Sequence, residues 1–136
     1  PVFGTCAGMI LLARKLDNDS NIYFGALDAV VRRNAYGRQL GSFVATADFG
    51  SSSGDSAVVV APGEHVPQDA PADIVLKDFP LVFIRGPFVA EVGPAATVET
   101  SVDGNVVGLR QGKILATAFH PELTDDTRIH ELFLSL

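Results

Sequence analysis

The order of apolar and polar positions predicts strands around one helix in the first third of the chain. Residues 1–3 predict the end of a buried strand. Residues 7–15 are apolar nearly all round and predict a helix enclosed by other elements, with two basic residues suited to its C-terminal end. Residues 25–32 and 42–49 have the composition of strands.

The second half of the chain predicts a buried strand, three paired strands and a final helix. Residues 80–85 form a continuous apolar run that ends in arginine, as in a buried strand. Residues 97–102, 105–110 and 113–119 predict an antiparallel meander, because Asp-Gly and Gln-Gly pairs stand at its two turns. A helix is expected from Thr124, with its apolar face at positions i, i+3, i+4 and i+7: Ile129, Leu132, Phe133 and Leu136.

Residues 50–73 interrupt this pattern. The segment is rich in Gly, Ser, Pro and Asp, and only residues 57–61 have the composition of an ordered element. We therefore expect a surface insertion on a single domain that spans residues 1–136, since no linker divides the chain.

Composition and charge narrow the class of protein. With 47% hydrophobic residues the chain can bury a packed core, and its apolar stretches are shorter than the ~20 residues of a membrane span. A net charge of −6 argues against a nucleic-acid partner. One cysteine allows no internal disulfide, which fits a reducing, cytoplasmic location. The three histidines lack metal-ligand spacing with that cysteine, and no dinucleotide or phosphate loop is present, so neither metal nor cofactor is expected.

The cysteine lies in a motif typical of a nucleophile elbow. Gly4-Thr5-Cys6-Ala7-Gly8 follows the first predicted strand and opens the first predicted helix. Small neighbours allow the sharp turn, and the positive end of the helix dipole is expected to favour the thiolate. The alternative for Cys6 alone is a small buried apolar residue.

A histidine and a glutamate follow the last strand of the meander. His120 and Glu122 flank Pro121 directly after residues 113–119, at the strand end where α/β folds place their sites. The carboxylate can hold one imidazole nitrogen while the other faces the Cys6 thiol. His120 bonded to nearby backbone and Glu122 as a solvated carboxylate are the alternatives. The three positions together favour a Cys-His-Glu triad, in which the Ala7 N–H donates to the oxyanion.

Four stretches resemble the glutaminase subunit of pyridoxal 5'-phosphate synthase (the PdxT/SNO family of class I glutamine amidotransferases). They are PVFGTCAG at 1–8, RNAYGRQ at 33–39, FIRGP at 83–87 and ATAFHPELT at 116–124, and the second is the most specific. The resemblance implies a flavodoxin-like, three-layer α/β fold. It also implies hydrolysis of L-glutamine to glutamate and ammonia, with the ammonia passing to a separate synthase subunit that makes pyridoxal 5'-phosphate.

The resemblance also assigns residues. It implies that Cys6 is the nucleophile and that His120 and Glu122 complete the triad. Arg33, Ile84 and Arg85 match the positions that hold glutamine, and an arginine suits an α-carboxylate because its planar fork presents paired donors. For the two arginines a surface charge or a structural salt bridge is the alternative. Arg38 is expected to be structural or part of the synthase interface.

The chain departs from the family pattern in three ways. Family members begin upstream of the elbow with strands, helices and a glycine-rich oxyanion loop, so we expect this chain to be incomplete at the N-terminus and inactive alone. The segment 50–73 is longer than in short members, and Gly86 replaces the usual alanine. Another class I amidotransferase, a dienelactone-hydrolase-like cysteine hydrolase and a catalytically silent scaffold remain open as alternatives.

Overall fold

A computed structural model describes residues 1–33, 42–50, 56–71 and 73–136. The strands are short and mostly amphipathic, whereas each of the two helices has only six or seven residues. The elements, in chain order, are β1 (Val2–Thr5), α1 (Ala7–Leu12), β2 (Ala13–Leu16), β3 (Leu27–Arg32), β4 (Ser42–Phe49), β5 (Val58–Val60), β6 (Ile74–Ile84), β7 (Phe88–Val92), β8 (Thr97–Val102), β9 (Asn105–Gln111), β10 (Ile114–Thr117), a 3-10 turn (Pro121–Leu123) and α2 (Arg128–Leu134).

Within the described ranges the strands form two sheets. The larger has seven strands in the order β1-β10-β9-β7-β3-β2, with β8 paired to β9, and the smaller has the order β4-β6-β5. The pairs β1–β10, β2–β3 and β5–β6 are parallel. The parallel pair β1–β10 matters most for the site, because it aligns Thr5 with Thr117 and brings their C-terminal ends to one edge of the sheet.

The structure confirms the predicted meander. Strands β8, β9 and β10 pair antiparallel in sequence. The turn between β8 and β9 has positive φ at Asp103 and Gly104, and Gly112 has φ 56° at the next turn. The predicted strands at 25–32 and 42–49 are β3 and β4, and the predicted strand at 80–85 is the second half of the longer β6. The sequence interpretation missed β7.

The prediction of a helix over residues 7–15 is wrong at its C-terminal end. The helix ends at Leu12, where Ala13 turns to φ −55°, ψ 139°, and residues 13–16 form β2 beside β3. Ala13 and Leu16 are buried while Arg14 and Lys15 are exposed. The two basic residues therefore do not cap a helix, and the Nε of Arg14 instead lies 3.0 Å from an Asp28 oxygen.

The final helix also begins later than predicted. Thr124 does not cap it, because its hydroxyl donates to the Pro121 carbonyl at 3.0 Å and so closes the 3-10 turn. The helix begins at Arg128, whose N–H donates to the side chain of Asp126. The predicted apolar face is confirmed, with Ile129 and Leu132 buried in the core.

Phenylalanine rings connect the smaller sheet to the region of the predicted site. Phe49 of β4 and Phe83 of β6 each make an edge contact with Phe119, at centroid distances of 6.1 and 5.9 Å. Phe79 also lies against Phe119, and all four side chains are buried. Because Phe119 directly precedes His120, the core fixes the backbone at the start of the candidate site.

The segment 50–73 is anchored to the core where it is described. Residues 58–60 pair with β6, and Val60 and Val66 are buried. The loop 61–70 is attached to α2 through Glu131, which accepts hydrogen bonds from the Val66 N–H and from His65. That the segment is an insertion stays a prediction. The RNAYGRQ stretch after Arg33, with Arg38, lies outside the described residues. Among those that are described, no helix has the length and apolar character needed to cross a membrane.

Candidate active site

Cys6 occupies a sharp turn between β1 and α1. Its backbone has φ 50° and ψ −104°, a conformation that costs free energy for a residue with a side chain. Gly4 allows the turn to close, since a Cβ at that position would lie 2.8 Å from the backbone of Gly8. The Cys6 N–H donates to the Thr117 carbonyl at 2.7 Å, which extends the β1–β10 pairing to the cysteine. The structure therefore confirms the strand–turn–helix geometry of a nucleophile elbow.

The electrostatic surroundings of Cys6 differ from the sequence expectation. Burial raises the pKa of the thiol, the hydrogen bond from the Ala7 N–H lowers it, and the negative charge of Glu122 raises it again. The net pKa is raised, so the expectation of an easily formed thiolate is wrong for this structure. The reason is that burial outweighs the local donor, and a helix of six residues offers only a short dipole. The thiol therefore needs a base to remove its proton.

His120 and Glu122 form a hydrogen-bonded pair. The Nδ1 of His120 and the Oε1 of Glu122 are 2.6 Å apart. Since a carboxylate only accepts, Nδ1 is the donor in this contact. The histidine side chain is 21% exposed and the glutamate side chain 46% exposed, so the pair lies at the surface of the core. The contact fixes the imidazole ring relative to the carboxylate.

Strand β6 contacts both halves of the candidate site. The His120 N–H donates to the Val82 carbonyl at 2.8 Å, and the Cys6 thiol lies 3.9 Å from the Ile84 carbonyl. Strand β4 pairs with one edge of β6, and β5 pairs with the other edge only as far as Leu76. The elbow and the histidine segment therefore meet at the end of β6 that β5 leaves uncovered.

The three residues expected to hold glutamine lie in two places. Ile84 is 43% exposed and adjoins the Cys6 thiol, and Arg85 follows it with φ 48° and an exposed side chain. Arg33 lies just after β3, which β10, β9 and β7 separate from β1 in the sheet. Its Nη1 lies 2.9 Å from an Asp19 oxygen, and Asn18 bonds its backbone. The structure thus brings Ile84 and Arg85 to Cys6, and it pairs Arg33 with the loop before β3.

Two features of the site were missed from sequence. The carbonyl of Val82 anchors His120, and a main-chain contact of this kind has no side-chain signal. Gly86 allows a close approach, since a Cβ there would lie 2.5 Å from the Ala118 carbonyl oxygen. In the sequence, the glycine between Arg85 and Pro87, beside the predicted site, could have indicated this close contact. In the described part of the chain, no group of three or more acidic, histidine or cysteine side chains is placed to hold a metal ion.

The fold resembles that of a solved glutamine amidotransferase. One structure, described as a crystal structure of glutamine amidotransferase, matches 97% of this chain and 58% of that chain, with a TM-score of 0.74 and 36% sequence identity. This similarity, with the elbow on a mixed α/β scaffold, places the chain in the class I, flavodoxin-like amidotransferase fold.

The sequence comparisons make the assignment more specific. The SNO glutamine amidotransferase family matches residues 1–136, and the chain belongs to this family. A protein of Bifidobacterium adolescentis called pyridoxal 5'-phosphate synthase subunit PdxT is 98% identical over the whole chain, which covers 65% of that protein. The proteins with the same name from Bifidobacterium longum and Clostridium acetobutylicum are 74% and 40% identical, with 62% and 61% covered. The chain therefore spans a little under two thirds of the length of these relatives.

Proposed function

We propose that this chain is the catalytic part of a glutaminase subunit of pyridoxal 5'-phosphate synthase, acting in the cytoplasm. It hydrolyses L-glutamine to L-glutamate and ammonia, and the ammonia passes to the synthase subunit. The observation that carries the proposal is the His120–Glu122 pair, bonded at 2.6 Å and anchored to the strand that also adjoins the Cys6 thiol. Membership of the SNO family and the names of its relatives support the substrate and the partner.

The first half of the reaction forms a thioester. His120 Nε2 takes the thiol proton as the Cys6 sulfur attacks the side-chain carboxamide carbon of glutamine. The negative charge that develops on the carboxamide oxygen is stabilised by the Ala7 N–H, which already faces the sulfur. His120 then gives its proton to the amide nitrogen, the C–N bond breaks, and ammonia leaves.

The second half restores the enzyme. His120 removes a proton from water, and the oxygen attacks the thioester carbon. The C–S bond then breaks, His120 returns the proton to the departing sulfur, and glutamate and the free thiol are released. Glu122 keeps the proton on Nδ1 and so presents Nε2 throughout both halves. Arg85 holds the substrate α-carboxylate in this proposal, because its planar fork pairs with two oxygens, and the neighbouring Ile84 adds a contact to glutamine. A contact from Arg33 would require its side chain to leave Asp19.

The proposal is tested by measuring glutamate release from L-glutamine with the full-length protein, with and without the synthase subunit. We expect release that depends on the synthase subunit and that falls to background in Cys6→Ala. The matched control is Ser101→Ala, an exposed polar position on β8. A folded protein that releases no glutamate in either condition, or release that persists in Cys6→Ala, contradicts the proposal.

A further inference from the structure

Arg128 is the largest side chain among the described residues that is fully removed from solvent. Only 2% of it is exposed. Its Nε and Nη2 donate to the two carboxylate oxygens of Asp126 at 2.9 and 2.6 Å, and the guanidinium lies over the Phe79 ring, 5.5 Å from its centroid. A buried cation is costly unless its donors are satisfied, and a buried ion pair is by itself weak evidence for stability. The role of the Arg128–Asp126 pair therefore depends on which parts of the fold it connects.

The remaining contacts of Arg128 reach the small sheet. Its Nη1 donates to the carbonyls of Val60 on β5 and Lys77 on β6, both at 2.7 Å. Lys77 is the first residue of β6 beyond its pairing with β5, which ends at Leu76. The guanidinium therefore joins the start of α2 to the edge of β6 where β5 stops.

The same strand anchors the other end of the histidine segment. The His120 N–H donates to the Val82 carbonyl of β6 at 2.8 Å. The residues from His120 to Arg128 are thus fixed to β6 at both ends, and Glu122 lies between the two anchors. The position of the Glu122 carboxylate against His120 depends on how this span is held.

A chain of hydrogen bonds runs along the span from Asp126 toward Glu122. The Asp126 N–H donates to the Thr124 hydroxyl at 3.3 Å, and that hydroxyl donates to the Pro121 carbonyl at 3.0 Å. The Leu123 N–H donates to the His120 carbonyl at 3.2 Å. The 3-10 turn that presents Glu122 is therefore linked through Thr124 to the main chain of Asp126, the residue whose side chain Arg128 holds.

We propose that Arg128 and Asp126 are positioning residues for the proposed glutaminase reaction, on which this inference rests. They hold the span from His120 to Arg128 so that Glu122 stays bonded to the His120 Nδ1. Their effect is expected on catalysis rather than on substrate binding, because the residues proposed to hold glutamine lie outside the span, after β3 and at the end of β6 away from Lys77. The ammonium group of a lysine cannot replace the arginine, since the planar guanidinium donates to both oxygens of the Asp126 carboxylate and to two backbone carbonyls.

The test compares Arg128→Lys and Asp126→Asn with Leu27→Ala, in the full-length protein with the synthase subunit present. Leu27 is buried on β3, so its truncation costs stability without touching the span. All variants are assayed at a temperature at which circular dichroism shows them folded. We expect kcat for glutamine hydrolysis to fall about tenfold in both positioning variants with KM within about twofold of wild type, whereas Leu27→Ala keeps both values within about twofold.

A second readout needs no activity. In protein labelled with ¹⁵N-histidine, the downfield proton signal of the His120 Nδ1–H reports its bond to Glu122, and Glu122→Ala provides the reference for its loss. We expect Arg128→Lys and Asp126→Asn to lose this signal and Leu27→Ala to keep it. If one of the two positioning variants does not fold, the signal of the other variant tests the positioning role.

The outcomes separate the two proposals. Retention of the Nδ1–H signal in the folded positioning variants, or a loss of kcat no larger than in Leu27→Ala, overturns the positioning role. A wild-type protein that shows the signal but releases no glutamate with its synthase contradicts the proposed function instead, and the signal then decides the positioning role alone.

Discussion

Cys6 combines a strained backbone conformation with a thiol whose pKa is raised. Its φ of 50° puts the half-buried side chain at the top of the turn, and burial and the charge of Glu122 raise the pKa of the thiol. A low thiol pKa is one way to activate a cysteine, and an adjacent base is another. The proposed mechanism relies on the second, and it draws support from the strand that contacts both the cysteine and the segment carrying the His120–Glu122 pair.

The reactivity of Cys6 tests this directly. We expect its alkylation by iodoacetamide to be slower at pH 7.5 than that of N-acetylcysteine, and the midpoint of its rate against pH to lie above that of the free thiol. A raised pKa leaves less thiolate at neutral pH, and the thiolate is the nucleophile. Glu122→Gln should move the midpoint downward, since it removes a negative charge near the sulfur. Cys6→Ser gives the background rate, and a midpoint at or below that of N-acetylcysteine would contradict the expectation.

At the scale of elements, side-chain hydrogen bonds attach α2 to other described parts of the chain at two points, besides the ring contacts of its His130 and Phe133 with Phe3. Arg128 holds its first residue to the small sheet, and Glu131 holds its middle to the loop 61–70. Beside the second point lies a cleft of about 420 Å³ lined by residues of the loop and of the helix. His65 is 84% exposed there, and its Nδ1 lies 2.7 Å from Glu131.

The bond between His65 and Glu131 makes this attachment sensitive to pH. The hydrogen bond to Glu131 raises the pKa of His65. The stabilisation that protonated His65 gives the folded state is therefore complete below about pH 6.5 and is lost as the pH rises through the raised pKa. Hydrogen bonds from the Val66 N–H and from His65 lower the pKa of Glu131. The stabilisation that ionised Glu131 gives the folded state is therefore complete above about pH 4.3 and is lost as the pH falls through the lowered pKa. The attachment is therefore strongest between these limits.

Thermal unfolding of His65→Gln checks the sign of this dependence. Glutamine keeps a donor but cannot carry the charge, so we expect the loss of Tm relative to wild type to be larger at pH 5.5 than at pH 8.5. Gln68→Ala, which alters the same cleft without a titrating group, should show no such difference. An equal loss at both pH values would argue against the charged bond.

At the scale of the whole molecule, the phenylalanine cluster joins the small sheet to the meander. Phe49 of β4 contacts Phe79 and Phe119, and a Cβ at Gly108 of β9 would lie 2.8 Å from its ring. The Thr100 hydroxyl of β8 donates to the neighbouring Asp48 carbonyl at 2.8 Å. One buried ring thus touches both sheets and the residue that precedes His120.

Truncation of this ring should cost stability on the scale of a large core cavity. We expect Phe49→Ala to lower the free energy of unfolding by about 3–5 kcal/mol, as measured by urea denaturation. Phe24→Ala removes the same atoms from a side chain that is 73% exposed, so it should stay within about 0.5 kcal/mol of wild type. Similar losses in the two variants would show that Phe49 does not join the sheets as described.

The elements that the sequence predicts well are those with local signals. The meander carries its turn residues at 103–104 and 111–112, and the elbow carries its glycines around Cys6. Strand β2 and the late start of α2 have no such signal, because the pairing of β2 with β3 and the bonds of Asp126 to Arg128 decide them. For the site, the residue types at Cys6, His120 and Glu122 could be recognised in the sequence. The carbonyls that contact these segments could not be predicted, since a backbone carbonyl is present at every residue.

The two contacts that β6 makes with the site come from alternate residues, Val82 and Ile84. Carbonyls two residues apart on a strand face the same edge, and they repeat at about 7 Å. Strand β6 therefore contacts the main chain of His120 and the thiol of Cys6 at positions one strand repeat apart, through carbonyls that are present whichever side chains occupy those positions. Substitutions at Ile84 can alter the surface beside the thiol without altering these two carbonyls, whereas a single inserted residue would turn them to opposite edges. In this fold, the side chain beside the thiol and the main-chain contacts of the two segments can thus vary separately along one strand.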